Sequence, residues 1–374
     1  MSIYEKLGVK RVINAWGTVT SLGGSLMLPE VIEAMNEAAK AFVDMDERHK
    51  QAGKIIAEKT GAEAAYVTSG AAAALVLAVA ACMTGKDPEK MAQIPYVQGF
   101  KNEVILPMVQ DTSYSRNFAI PCAKLVKVGT KDGYTPDDVE RAITENTVAI
   151  GFVFFTSKLG CDMEALKNIV MIGKKHNIPV IVDAAAELPP IENLRDIAAT
   201  GADLVAFSGG KDIRGPNDTG FIIGRADLIE AIAAHGSPHH YMGRPMKVSK
   251  EQIVGLVVAL QHYTIEAVKA RQEKWEKMAQ YFIDKLTSEN IKAEKIIPDP
   301  VKHEYSAQGW PQVRLIFNET NLGITAAEVD KQLRTGNPVI YASQSDNQIT
   351  LNPQCLQDGE EKIIVQRIKE IIEK

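Results

Sequence analysis

The chain has 374 residues, 45% of them hydrophobic and 24% charged, with a formal net charge of -5. That length can bury a large core and divide into a major and a minor domain. The acidic balance argues against a nucleic-acid binder held by bulk positive charge, though it leaves room for a small local anion site. Four cysteines, Cys82, Cys122, Cys161 and Cys355, stand far apart with no CxxC pair, so reduced thiols are expected in place of a disulfide framework or a zinc knuckle. The N-terminus shows no basic stretch followed by an apolar run. No apolar run approaches the roughly 20 residues of a membrane helix, and a cytoplasmic protein with no membrane partner is expected.

In chain order, residues 1–50 are expected to pack beside a small C-terminal domain or on a neighbouring subunit. From about Glu58 to Arg225, short apolar runs alternate with amphipathic stretches. The runs are 64–70 (AAYVTSG), 103–108 (EVILPM), 124–129 (KLVKVG), 148–155 (VAIGFVFF), 178–185 (IPVIVDAA), 203–211 (DLVAFSGGK) and 220–224 (GFIIG). Apolar residues at both alternate positions mark strands buried on both faces. Helices are predicted between several of them. One begins with Thr135 as N-cap and Pro136 in the first turn, and others cover 163–176 and 193–200. The repeat argues for a parallel or mostly parallel sheet covered by helices.

Residues 226–234 read as a helix and 236–250 (GSPHHYMGRPMKVSK) as an irregular connection. A helical pattern from 250 to 286 is expected to bend. Beyond Lys292 come KAEKIIP, PQVRLIFN, PVIYASQ and QITLNP, with helices over 325–334 and at the C-terminus. The expected organisation is a large domain over 51–250, a connecting helix over 251–290 and a small α+β domain over 291–374. No internal repeat or low-complexity segment is present.

Three features fall at predicted strand ends, where open α/β sheets bind ligands. Thr68-Ser69-Gly70-Ala71 leads from a strand into an alanine-rich helix, whose first amides and Ser69 hydroxyl suit a phosphate. Asp183 ends a buried strand, which is costly for an unpaired carboxylate. A pyridoxal phosphate (PLP) ring nitrogen is a suitable partner. Lys211 follows Ser208-Gly209-Gly210, 28 residues beyond Asp183, and lysine forms Schiff bases. Taken singly, these residues also suit a capped helix, a structural ion pair and a solvated loop lysine. Their shared order and strand-sized spacing favour one PLP pocket. His235, His239 and His240 sit in a loop without a carboxylate at ligand spacing, and no metal is expected.

The segments RVINAWGTVTSLGGS, TGAEAAYVTSGAAAAL, IVDAAAELPP, GADLVAFSGGKDIRGPNDTGFIIGR and GRPMKVSKEQIVGL span nearly the whole chain. Through them it resembles the fold-type-I PLP enzymes related to bacterial selenocysteine synthase (L-seryl-tRNA selenium transferase), in particular the D-glucosaminate-6-phosphate ammonia-lyase-like subgroup. The resemblance implies an α/β, aspartate aminotransferase-like fold with a mostly parallel central sheet and a smaller C-terminal α+β domain. It implies Lys211 as the PLP-bearing lysine, Asp183 as the ring-nitrogen partner, and Ser69, Gly70, Ala71 and Ser208 around the phosphate.

The implied reaction is α,β-elimination from a phosphorylated amino-sugar acid. D-glucosaminate 6-phosphate would give 2-keto-3-deoxygluconate 6-phosphate and ammonia, with Lys211 taking the Cα proton. Substrate anions require cations, for which Arg116, Arg214, Arg244 and Lys247 are candidates. Tyr114 is a candidate to cover the ring or meet substrate, and Asp212 to protonate the leaving hydroxyl. In this fold the active site usually lies at a dimer interface, so a homodimer or higher oligomer is expected. The chain departs from the selenium transferase in reaching VINAWGT within about ten residues, with no room for its N-terminal tRNA-binding domain. No nucleic-acid partner is expected. Asn14-Ala15-Trp16-Gly17 stands where that family has Asn-Ala-Thr-Gly or Asn-Ala-Ser-Gly. Another PLP reaction, such as transamination, another amino-acid lyase or a selenium transfer, remains an alternative, as does a non-catalytic relative.

Overall fold

The structure, a computed structural model, describes residues 2–154, 160–297 and 310–373. Its described residues form two compact units, one of residues 27–154 and 160–264, the other of residues 2–26, 265–297 and 310–373. Strand β1 (Val12–Asn14) belongs to the second unit.

The first unit holds β2 (Ala64–Thr68), β3 (Glu103–Pro107), β4 (Lys124–Val128), β5 (Thr147–Val153), β6 (Val180–Asp183), β7 (Leu204–Ser208) and β8 (Gly220–Gly224). They form one sheet in the order β2-β8-β7-β6-β5-β3-β4. β8 is antiparallel to both its neighbours, while the pairs from β7 to β4 are parallel. β2, opposed to β8 as β7 is, therefore points the same way as β7. Every residue of β3 and β5 is buried, as strands covered on both faces require. Phe155, the last residue of the expected 148–155 run, lies outside the described residues.

Helix Gly70–Thr84 has an unbroken buried run from Ala73 to Ala81 and therefore no polar face to turn outward. Helix Met45–Thr60 is capped by Asp44, which accepts the Glu47 amide at 2.9 Å, and ends at Gly61 with φ 75°. It packs on β2 so closely that a Cβ on Gly53 would lie 2.2 Å from the Ala65 carbonyl oxygen. Helix Lys250–His262, started by a Ser249–Gln252 capping box, packs on helices Pro29–Ala38 and Met45–Thr60. The long helical pattern is thus two helices: it breaks after His262 and resumes at Ile265. Among the described residues no single helix is long and apolar enough to cross a membrane.

The second unit contains β9 (Ile291–Ile296), β10 (Gln312–Phe317), β11 (Val339–Tyr341), β12 (Ser343–Ser345) and β13 (Gln348–Leu351). Pro298, which ends the expected KAEKIIP run, lies outside the described residues. An antiparallel sheet runs β12-β13-β10-β9, and β1 pairs in parallel with β11. β10 alternates strictly, sending Val313, Leu315 and Phe317 into a core with Phe282, Ile349, Ile364 and Ile368. Trp16 lies 5.4 Å from the Arg334 guanidinium, which also covers Tyr341 at 4.8 Å.

The units divide at 26 and 264, where the sequence reading placed divisions at 50, 250 and 290. Pairing of β1 with β11 takes residues 2–26 into the second unit. Contact with helix Lys250–His262 holds 29–60 in the first. Replacing Gly53 by alanine is expected to destabilise the fold by about 1–3 kcal/mol, because a backbone oxygen cannot give way as a side chain can. Urea unfolding followed by fluorescence checks this, and a midpoint equal to wild type would show that helix and strand separate freely.

Candidate active site

The ends of β2, β6 and β7 lie on one edge of the sheet and carry the site. At the first, Ser69 precedes a helix that no side chain caps. Gly70 opens it at φ 87°, a left-handed conformation that favours glycine. The Ser69 hydroxyl donates to the Met246 carbonyl at 3.1 Å, tying the 236–250 connection to this cradle. Gly220, at the start of β8, backs directly onto it. A Cβ there would lie 2.4 Å from the Gly70 carbonyl carbon and 2.6 Å from the Ala71 nitrogen.

β7 ends at Ser208, and a tight turn returns to β8. The Gly209 amide donates to Thr219 O at 2.8 Å and the Gly215 amide to Gly209 O at 2.9 Å. A Cβ on Gly209 would meet the Thr219 hydroxyl at 2.3 Å, and one on Gly210 the Asn217 Cα at 2.4 Å. The two glycines before Lys211 are therefore required by the crossing of the turn on itself. On the neighbouring strand, Asp183 is in register with Ala206, and its Oδ1 accepts the Ala185 amide at 3.1 Å. Among the described residues its other oxygen has no donor, and the Lys211 amine makes no hydrogen bond or ion pair.

Burial and charge set the protonation of this edge. Burial pushes the Asp183 carboxyl above its ordinary range, against the pull of the Ala185 amide and the Lys211 charge. Burial lowers the Lys211 ammonium, with Asp183 and Glu187 opposing. A third group, Glu187, is only 3% exposed, and burial followed by the Asp183 charge pushes its carboxyl up to about 7.

The other candidates fall in distinct places. Asp212 follows Lys211 but is 2% exposed, and its Oδ2 accepts the Tyr263 hydroxyl at 2.7 Å. The donor, Tyr263, lies just beyond helix Lys250–His262. Arg214 is half-buried at φ 63° in the same turn. Tyr114 and Arg116 are exposed on the 3-10 turn Ser113–Phe118. Arg244 and Lys247 are exposed at the end of the 236–250 connection. His235 is buried, its Nε2 2.7 Å from the Thr84 hydroxyl, and His239 lies 3.7 Å from Asp46. Among the described residues no three His, Cys, Asp or Glu side chains are arranged for a metal. Glu187 and Tyr263 are not among the candidates drawn from the sequence. A glutamate inside AAAELPP, a run otherwise apolar, is the signal that points to the first.

Residues 29–296 match the aminotransferase class-V family. The chain belongs to that family. It is 34% identical over 379 residues to D-glucosaminate-6-phosphate ammonia lyase of Salmonella typhimurium (strain 14028s / SGSC 2262), covering 100% of this chain and 98% of that protein. A solved structure described as D-glucosaminate-6-phosphate ammonia-lyase superposes with TM-score 0.84 at 34% identity, covering 100% of this chain and 98% of that one. The chain is also 34% identical, over 99% of its length and 92% of the other, to 5'-C-glycyluridine monooxygenase-decarboxylase of a Streptomyces species. An L-seryl-tRNA(Sec) selenium transferase of Alkaliphilus oremlandii (strain OhILAs) is 25% identical over 99% of this chain and 84% of that protein.

The protein is an enzyme of this aminotransferase-like fold, and its cofactor is pyridoxal 5'-phosphate. The site fits that group. An uncapped helix start offers amides to the phosphate. Asp183 keeps an oxygen for the ring nitrogen, and the Lys211 amine is held back from its charged form. Borohydride reduction of the holoenzyme is expected to fix the cofactor on the peptide containing Lys211. Peptide mass spectrometry that finds it on a different lysine would move the site.

Proposed function

We propose that the enzyme eliminates the C3 hydroxyl and the amine from D-glucosaminate 6-phosphate, giving 2-keto-3-deoxygluconate 6-phosphate and ammonia. The observation that carries this reading is the end-to-end 34% identity with the ammonia lyase, together with a site that sets Lys211 beside Asp183. Bound there, the cofactor supplies an electron sink for the charge left at Cα. Lys211, whose ammonium is disfavoured by burial, accepts the Cα proton. Asp183 keeps the ring nitrogen protonated, and Ser69, Gly70, Ala71 and Ser208 hold the phosphate. Loss of the C3 hydroxyl as water and addition of water at C2 balance, so ammonia is the net product. Asp212, already engaged by Tyr263, acts by steadying the turn beneath Lys211.

Arg116, Arg214, Arg244 and Lys247 are the cations assigned to the substrate carboxylate and phosphate, and Tyr114 to the ring or substrate. Charge-assisted hydrogen bonds contribute roughly 1.5–3 kcal/mol each, so removing the substrate phosphate should lower kcat/KM at least about tenfold. D-glucosaminate with and without the 6-phosphate, assayed for ammonia and keto-acid release, tests this; equal efficiency would remove the phosphate site. The equal identity to a monooxygenase-decarboxylase supports a second reading in which oxygen is consumed and carbon dioxide released. An oxygen electrode separates the two, since elimination proceeds unchanged without oxygen.

The protein is further proposed to be cytoplasmic and at least dimeric, with no nucleic-acid or membrane partner and with Arg244 or Lys247 near the partner's site. Fully exposed Phe42, beside exposed Val43, supports self-association. Sedimentation velocity is expected to give a species of at least two chains, and a fully active monomer would end this part of the proposal.

A further inference from the structure

We propose that His235 is a positioning residue: with Thr84 it fastens residues 235–246 as a strap along helix Gly70–Thr84, and so fixes where the Arg244–Lys247 turn meets the phosphate cradle. The inference rests on the reading in which Arg244 and Lys247 hold the substrate anions, and it adds how they are placed.

The first fastening is at the last turn of the helix. There the Thr84 hydroxyl lies 3.0 Å from Ala80 O and 3.1 Å from Gly85 O, and His235 Nε2 approaches it at 2.7 Å. Burial keeps the imidazole neutral, pushing its pKa down to about 4. His235 is wholly buried, and among the described residues its Nδ1 has no partner. A ring proton on Nδ1 would be a buried donor without an acceptor. The proton therefore sits on Nε2, which donates to Thr84 Oγ1, while the Thr84 proton goes to one of the two carbonyls.

The backbone of His235 closes the strap. Helix Ala226–His235 ends here, and the chain makes an excursion over 237–242 that returns to the same point. The Gly243 amide donates to His235 O at 2.9 Å, and a bridge joins Gly236 to Gly243. Neither glycine has room for a side chain. A Cβ on Gly236 would collide with the Tyr66 hydroxyl. One on Gly243 would lie 2.6 Å from His235 O and 3.0 Å from Leu77 Cδ2, midway along the helix. The Met246 amide then donates to Gly243 O at 2.9 Å in the 3-10 turn Arg244–Met246. Met246 O in turn accepts the Ser69 hydroxyl at 3.1 Å, at the helix start. The helix has 15 residues and is about 22 Å long, and the strap meets it at its end, its middle and its start. Arg244 and Lys247 flank the last fastening. Both side chains are exposed, so their aim is set by the backbone they leave from.

The test compares Thr84→Val and Thr84→Ser with wild type, all as holoenzyme, with thermal melts alongside. Valine keeps the shape of threonine but removes the acceptor for His235, and serine keeps that acceptor. Losing this hydrogen bond should raise KM for D-glucosaminate 6-phosphate about three- to tenfold with kcat changed much less, because the strap serves binding. Amide exchange in peptides spanning 241–248 should quicken, and Thr84→Ser should stay near wild type in both readouts. A folded Thr84→Val with wild-type exchange over 241–248 overturns the strap. Quicker exchange with an unmoved KM overturns its role in placing the cations. A wild-type enzyme inert toward D-glucosaminate 6-phosphate sinks the substrate reading, while the exchange comparison still upholds or overturns the strap. If Thr84→Val does not fold, exchange in the wild type decides. The Gly243 and Met246 amides should exchange as slowly as those of helix Gly70–Thr84, and rapid exchange there overturns the proposal.

Discussion

The site depends on how closely the start of β8 approaches the start of helix Gly70–Thr84. Gly220 touches the Gly70 and Ala71 backbone on one side and the Phe207 carbonyl on the other, with no room for a methyl group. That approach joins the cradle after β2 to the end of β7 through the one strand that runs against the rest. Neighbouring strands lie about 4.8 Å apart, so cradle, Lys211 and Asp183 are spread over the edge at intervals of about 10 Å and then about 5 Å. A flat group held by its phosphate at the cradle would meet the amine of Lys211 before the carboxylate of Asp183. Backbone packing fixes that spacing: Gly209, Gly210 and Gly220 leave no room for a Cβ, and Gly70 takes a left-handed φ.

The same packing explains the electrostatics. Burial at the strand ends shifts the Asp183 and Glu187 carboxyls upward and the Lys211 ammonium downward. The opposing attractions among them only partly offset that effect. Asp212 is 2% exposed, and the Tyr263 hydroxyl donates to it, tying the turn after Lys211 to the end of helix Lys250–His262.

The central sheet and the three strand-end motifs are legible in the sequence because each is local. Buried strands announce themselves as continuous apolar runs, and Ser69-Gly70, Asp183 and Gly209-Gly210-Lys211 interrupt those runs at their ends. What escapes is what depends on distant pairing. The union of β1 with β11 joins residues more than three hundred positions apart, and no periodicity foretells that residues 2–26 leave the first unit. Tyr263 and Asp212 meet for the same reason only in three dimensions. Glu187 is an intermediate case: it is visible as a charge within an apolar stretch, but its burial just after β6 is seen only in the fold.

Overall identity does not choose among reactions, since two relatives with equal identity to this chain are named as an ammonia lyase and a monooxygenase-decarboxylase. What distinguishes an elimination is proton traffic: Cα must lose a proton to an amine that is neutral when substrate arrives, and the departing hydroxyl must gain one. A lysine whose ammonium is disfavoured by burial meets the first need, but burial alone would also weaken it as a base. The charges of Asp183 and Glu187 oppose that effect and draw the amine back toward its protonated form. On this account the control of chemistry in the fold lies in the groups around the lysine more than in the lysine itself.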